Sequence, residues 1–258
     1  MAKRRETLNR RKFLFNSAYF LAGSLFGLNC FSRAFAFEEY KMALIIDDIG
    51  YSLHRARQFL ELGVPITFSI LPGLTKSHDL ALQIHRNGHE IMLHQPMEPY
   101  NPALDPGPGA LYVGDGAKKI FRIVEENFSS VPFAIGVNNH MGSRLTSRQK
   151  EMKDVLRVIR ERNLFFVDSL TSSRSMAYRT AKRLHITSAC RNIFLDNRLD
   201  ESAILTQLHK LKKHALKYNC AIGIGHPFPE TAKAIGRFQK SLKGSGVSLV
   251  HVSRVLHS

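Results

Sequence analysis

Six short apolar runs in this chain end abruptly in side chains that ligate metals or move protons. Leu44-Ile45-Ile46 leads into Asp47 and Asp48, Ile91-Met92-Leu93 into His94, and Ala134 to Val137 into Asn138, Asn139 and His140. Phe165-Phe166-Val167 leads into Asp168, Ile193-Phe194-Leu195 into Asp196, and Ala221 to Gly225 into His226. Adjacent carboxylates such as Asp47 and Asp48 raise each other's proton affinity unless a cation or a donor offsets the repulsion. Taken alone, such a pair more often means one carboxylate capping a helix and the other in solvent. His94 changes that balance, because neutral imidazole is a common ligand of zinc, and Asp plus His from different strand ends makes a partial metal shell.

The elements that would position these groups are readable around them. A continuous apolar run is how a strand buried on both faces of a parallel sheet reads, and α/β barrels assemble their active sites at the carboxyl ends of several strands. Helical patterns fill the gaps: Leu53 to Leu62, Ser77 to Arg86, Ala117 to Phe128, Ser147 to Arg162, Tyr178 to Leu184, Glu201 to Tyr218 and Thr231 to Leu242. In the fourth, Met152, Val155, Leu156 and Ile159 recur at helical spacing, with Ser147 as the expected N-cap. With Ile66 to Leu71 and Ser248 to Val252 added, the order is strict strand–helix alternation. That predicts an α/β fold, a distorted TIM-like (β/α) barrel of seven to eight strands with one short or displaced. An open doubly wound sheet is the alternative, and the lack of a glycine-rich dinucleotide loop counts against it. One connection, Gln95 to Gly116, is long and rich in Pro and Gly, and is expected to wall a substrate groove.

At 258 residues, 44% of them hydrophobic and 22% charged, the chain fits one large domain, residues 37–258. Residues 1–36 read differently. A basic stretch with Asn9-Arg10-Arg11-Lys12-Phe13-Leu14 precedes an apolar stretch from Phe13 to Phe31 and a small-x-small site at Ala34-Phe35-Ala36. That is the pattern of a cleaved, twin-arginine-like export signal and implies a periplasmic or extracytoplasmic location. An uncleaved membrane anchor is the alternative, marginal because polar residues interrupt the ~20 apolar positions a span needs. Without the segment the formal charge falls from +16 to +10. Export removes nucleic acid as a partner, which leaves anionic envelope polymers or a simply solvated basic surface. Cys190 and Cys220 both lie close to strands; a disulfide between them is geometrically conceivable, and two buried free thiols are the commoner arrangement.

Several segments together resemble the divergent polysaccharide deacetylases, a branch of the NodB-like carbohydrate esterases. They are Leu44 to Ser52 (LIIDDIGYS), Thr67 to Pro72 (TFSILP), Gly88 to Pro99 (GHEIMLHQPMEP), Pro106 to Leu111 (PGPGAL), Gly136 to Thr146 (GVNNHMGSRLT), Phe166 to Ser169 (FVDS), Asn192 to Asn197 (NIFLDN) and Ile224 to Thr231 (IGHPFPET). The resemblance implies a distorted barrel holding a divalent metal, usually zinc, with Asp47 as general base and Asp48 and His94 as ligands. The superfamily's second ligand histidine, four residues after the first, falls on Glu98, a departure from the pattern. The third ligand is then Glu98 or His140, which ends the neighbouring strand. His226 matches the general acid, with Asp168 or Asp196 to orient and tune it; Asn138, Asn139, Ser143 and Arg144 would bind sugar or hold ligand carboxylates.

The implied function is an exported metal-dependent hydrolase that removes N-acetyl groups from an envelope or peptidoglycan-type glycan. The alternative keeps the fold but not the turnover: a glycan-binding or envelope-assembly protein, motivated by the Glu98 departure. A glycosidase using two carboxylates such as Asp47 and Asp168 ranks last, because it leaves His94, His140 and His226 without roles.

Overall fold

The computed structural model describes residues 40–256. The expected export signal at 1–36 lies outside them. Nine strands run through this region: β1 (Tyr40–Ile49), β2 (Thr67–Ile70), β3 (Glu90–Met97), β4 (Ala134–Met141), β5 (Phe165–Asp168), β6 (Ser188–Cys190), β7 (Ile193–Phe194), β8 (Cys220–Gly225) and β9 (Val247–Val250). All pairings between them are parallel. Their order is β6-β5-β4-β3-β2-β1-β8-β7, with β9 added on β1.

This is the α/β barrel-like sheet the alternation predicts, curled but not sealed. β6 and β7 follow each other in the chain, yet each pairs with a different neighbour, so the seam lies between them. β8 lines one edge of β1 from Lys41 to Ile46. The other edge is shared: Tyr40 to Ala43 pair with β9, and Ile45 to Ile49 with β2. The last strand is therefore displaced beneath β2 rather than adding a stave. The strand that sequence reading misses is β6, three residues long and without an apolar run.

The helices cover the outside for the reason their spacing predicts. Gln149–Glu161 buries Met152, Val155, Leu156 and Ile159 on one face. Ser147 does not cap it; Ser147 ends a short 3-10 turn, and its hydroxyl donates back to the Arg144 carbonyl at 2.7 Å. Capping side chains do head two others, Ser52 at Leu53–Leu60 and Asp200 at Glu201–Tyr218. None of the described helices is long and apolar enough to cross a membrane. Cys190 and Cys220 are both free thiols, partly buried.

Two apolar layers result. The larger lies between sheet and helices and contains Phe59, Phe68, Phe166 and Phe238. The smaller fills the barrel interior with Ala43, Ile45, Met92, Phe165, Val167, Ile222 and Ile224, and the end of the chain supplies Val252 and Val255 to it. That terminal turn is fastened by the Val252 amide to Thr67 Oγ1 at 3.0 Å and by Ser253 to the Glu90 carboxylate. It closes the amino end of the barrel and leaves the carboxyl end for chemistry. Phe166→Ala, at a fully buried position of the outer layer, is expected to cost ~3–5 kcal/mol in urea-unfolding free energy.

Candidate metal centre

Side chains alternate across a strand, so the residues continuing an interior-facing series reach the barrel axis at its mouth. In β1 the series Ala43, Ile45 continues to Asp47; in β3, Met92 continues to His94; in β8, Ile222 and Ile224 continue to His226. Asn138 and His140 hold the same parity in β4, where Asn138 pairs in register with His94. Asp48 has the wrong parity. It enters the site because its backbone turns left-handed, at φ 56°, a conformation more accessible to Asp than to most residues. Gly50 completes the turn at φ 142°, where a Cβ would lie 2.8 Å from Leu74 and 3.0 Å from the Ser77 hydroxyl.

Three ligand atoms converge. Asp48 Oδ1 lies 2.9 Å from His140 Nδ1 and 3.2 Å from His94 Nε2, and the two ring nitrogens are 3.1 Å apart. Ligands bonded to one ion at ~2.0–2.2 Å, with angles near ~90–110°, stand ~2.8–3.6 Å from one another. The trio fits that spacing, and its two nitrogens and one oxygen suit zinc or a neighbouring transition metal. Asp48 Oδ1 is also buried without a hydrogen bond, which marks it as an acceptor in need of a cation.

Asn138 sets the chemistry of this trio from behind. Its amide nitrogen donates to Asp47 Oδ1 at 2.8 Å, so its oxygen faces His94 Nδ1 at 2.7 Å and also accepts from Ser69. His94 therefore carries its proton on Nδ1 and turns the Nε2 lone pair toward the convergence point. Burial disfavours the charged form of His94, but Asp47 and Asp48 outweigh it and raise its pKa. Burial likewise opposes ionisation of Asp48, yet the two imidazoles hold it well below the usual carboxylate range. Asp47 is raised by burial against the pull of His94, His226 and Asn138, as suits a proton acceptor.

On the far side, His226 is backed by Asp196. The Asp196 carboxylate accepts from His226 Nδ1 at 3.0 Å, from the His226 amide at 2.6 Å and from the Thr231 hydroxyl at 2.9 Å. Burial works against the imidazolium, but Asp196, Asp47 and Asp48 push the His226 pKa up to about 9. Its free Nε2 points back to Asp48 Oδ2 at 3.8 Å.

Five expected site residues are engaged elsewhere. Glu98 is not with the trio: Oε1 accepts from Arg144 at 2.7 Å and Oε2 from the Val113 amide at 2.8 Å, so both oxygens tie down the Pro-rich loop. The same ion pair spends Arg144, and the Ser143 hydroxyl receives the Tyr100 amide at 2.9 Å. Asn139 is buried and holds the Ser169 amide and the Met141 carbonyl. Asp168 has outward parity and accepts from Leu170, Ser175 and Tyr178, fastening the turn before the helix Ala177–Arg183. Asn138 is fully buried and bridges Asp47 and His94. Sequence reading overlooked Ser69 and Arg191. Ser69 sits inside β2 with no chemical signal of its own; Arg191 donates to the Ser169 and Leu170 carbonyls and brings a half-buried charge toward Asp47 and Asp168.

The same curled parallel barrel is found among solved structures. The chain overlays on the catalytic domain of a peptidoglycan N-acetylglucosamine deacetylase from Eubacterium rectale with a TM-score of 0.53 at 10% identity, covering 83% of this chain and 88% of that one. It overlays more closely on the uncharacterized protein ATU2773 from Agrobacterium tumefaciens C58, with a TM-score of 0.80, 27% identity and coverage of 84% and 89%. The uncharacterized protein YibQ of Escherichia coli is 32% identical over 220 residues, 84% of this chain and 67% of that protein. The model of the divergent polysaccharide deacetylases matches residues 44–256, and the chain belongs to that family.

Two substitutions separate these roles. Asn138→Ala should weaken metal binding ~10–100-fold, read by chelator competition, because His94 loses its orienting acceptor. Glu98→Gln should leave metal stoichiometry and affinity unchanged while increasing proteolytic nicking between residues 99 and 116.

Proposed function

We propose that this protein is an exported, metal-dependent hydrolase that removes N-acetyl groups from an envelope or peptidoglycan-type glycan. The observation that carries the reading is the flanking of one ligand trio by two different proton carriers: Asp47 on one side and the Asp196-backed His226 on the other. Membership in a deacetylase family supports the same reaction class. Zinc is the metal best matched to Asp48, His94 and His140, and the export pattern of residues 1–36 supports a periplasmic setting.

A cation held by the trio supplies Lewis-acid polarisation of the acetamide carbonyl and makes a water acidic enough to ionise near neutral pH. The residues do the proton work. Asp47, anchored by Asn138 and raised by burial, takes the proton of the water that adds to the carbonyl carbon. His226, with Nδ1–H held on Asp196 and its pKa raised by that carboxylate, gives its Nε2 proton to the amine nitrogen as the C–N bond breaks. Acetate and a free amine on the sugar are the products.

A non-catalytic glycan-binding role is the second reading, favoured by the one break in the superfamily's ligand pattern at Glu98. His140 answers that break, since it supplies a nitrogen to the trio where Glu98 does not. Purified protein loaded with zinc should release acetate from N-acetylated glycan oligomers, and chelation should abolish the release until metal is restored. Asp47→Asn and His226→Gln should each retain bound zinc and lower kcat at least ~100-fold. Glycan binding without acetate release under zinc, cobalt, manganese and nickel would establish the binding role instead.

A further inference from the structure

Next to the metal centre is a hollow of about 200 Å³ whose walls include Asp48 and His226 together with Tyr51, Ser52, Arg55 and Phe228. Larger hollows exist among the described residues, such as those of about 310 and 360 Å³ lined by Ile135 and Arg160 or by Cys190 and Cys220, but neither contains a group from the trio. The small one therefore shares its floor with the proposed chemistry. Its volume lies below the ~300–1,000 Å³ of pockets that enclose drug-sized ligands, and suits a single substituted sugar ring.

Its walls have a specific composition. Tyr51 is 64% exposed, more than any other large apolar or aromatic side chain among the described residues. A ring this bare at the mouth of a pocket is suited to lie against the C–H face of a sugar. Arg55 is exposed, and its guanidinium carbon stands 6.0 Å from the centroid of the Phe228 ring. Phe228 is itself fixed, because its amide donates to the His226 carbonyl at 2.8 Å and its carbonyl accepts from Ala232 at 3.1 Å. Unlike Arg144, Arg157, Arg162 and Arg237, each paired with a carboxylate, Arg55 forms no ion pair among the described residues. The only carboxylate on the pocket wall is Asp48, which the trio commits to a cation.

We propose that this hollow is a subsite for a sugar unit carrying an anionic group, a carboxylate or a phosphate, next to the N-acetylated unit, with Tyr51 stacked on the ring and Arg55 on the anion. The inference rests on the reading of the metal centre as a glycan site. Its physical basis is the planar fork of a guanidinium, which matches either anion with two parallel hydrogen bonds and is held in orientation here by an aromatic face. The surplus positive charge of the chain, +10 without residues 1–36, favours approach of such a polymer.

Calorimetric titration of the zinc-loaded protein with three N-acetylglucosamine-based tetramers tests this: one neutral, one with a carboxylate on alternate sugars, one with a phosphate there. An anionic oligomer is expected to bind about 10-fold tighter than the neutral one at low salt. The margin should shrink several-fold at high salt. Whichever anion carries the preference identifies the source. Arg55→Ala should remove the margin and Arg55→Lys keep part of it. Arg57→Ala, on the same helix but facing a different hollow with Asp79 and Arg86, should keep it whole. Should Arg55→Ala not fold, Phe228→Leu replaces it and should reduce the margin by misplacing the guanidinium.

Equal affinity for all three oligomers, or a margin that survives Arg55→Ala, overturns the subsite. Acetate release from the neutral oligomer with no anionic margin leaves the hydrolase standing and removes the subsite. An Arg55-dependent margin without acetate release does the reverse. No binding of any oligomer removes both.

Discussion

The structure turns on the placing of two adjacent carboxylates, Asp47 and Asp48, at the buried end of a central strand. Neither can be ionised there without compensation, and nearly everything at the barrel mouth supplies it. Asn138 donates to Asp47, while His94 and His140 crowd the inner oxygen of Asp48, and His226 approaches its outer one. The compensation is incomplete, since a buried oxygen of Asp48 still lacks a hydrogen bond. That residual deficit is what distinguishes a place for a cation from a satisfied ion-pair network.

The fold was legible because each buried parallel strand writes an apolar run long enough to see, and each helix repeats its apolar face. Where the run is missing, so is the signal: β6 holds Ser188, Ala189 and Cys190, and nothing in that trio announces a strand. The displacement of β9 beneath β2 is a tertiary fact, set by how β1 divides one edge between two partners.

The site was legible in residue type and less so in role. Strand parity sorts the candidates better than chemistry does. Asp47, His94, Asn138, His140 and His226 continue interior-facing series, whereas Asn139 and Asp168 have the opposite parity and became structural anchors. Asp48 escapes the rule through a left-handed backbone angle that the local sequence hints at only by the glycine two residues on. Glu98 could not be assigned by counting from His94, because its fate depends on Arg144 and the Val113 amide, 46 and 15 residues away. Asn138 was visible as a polar strand-end residue, but its two-sided amide, which joins Asp47 to His94, exists only in three dimensions.

The sheet order has a kinetic meaning. β1, made first among the described strands, lies between β2 on one side and β8 on the other, with β9 sharing its edge. Its pairing with β2 is local, but the opposite edge must wait for a segment far downstream, Lys41 meeting Cys220, a closure of high contact order. Asp48 and His226 belong to those two ends, so His226 faces Asp48 only once that closure is made, whereas His94 and His140 come from β3 and β4, much earlier in the chain. The turn at Val252, which fills the interior from below, comes from later still in the chain.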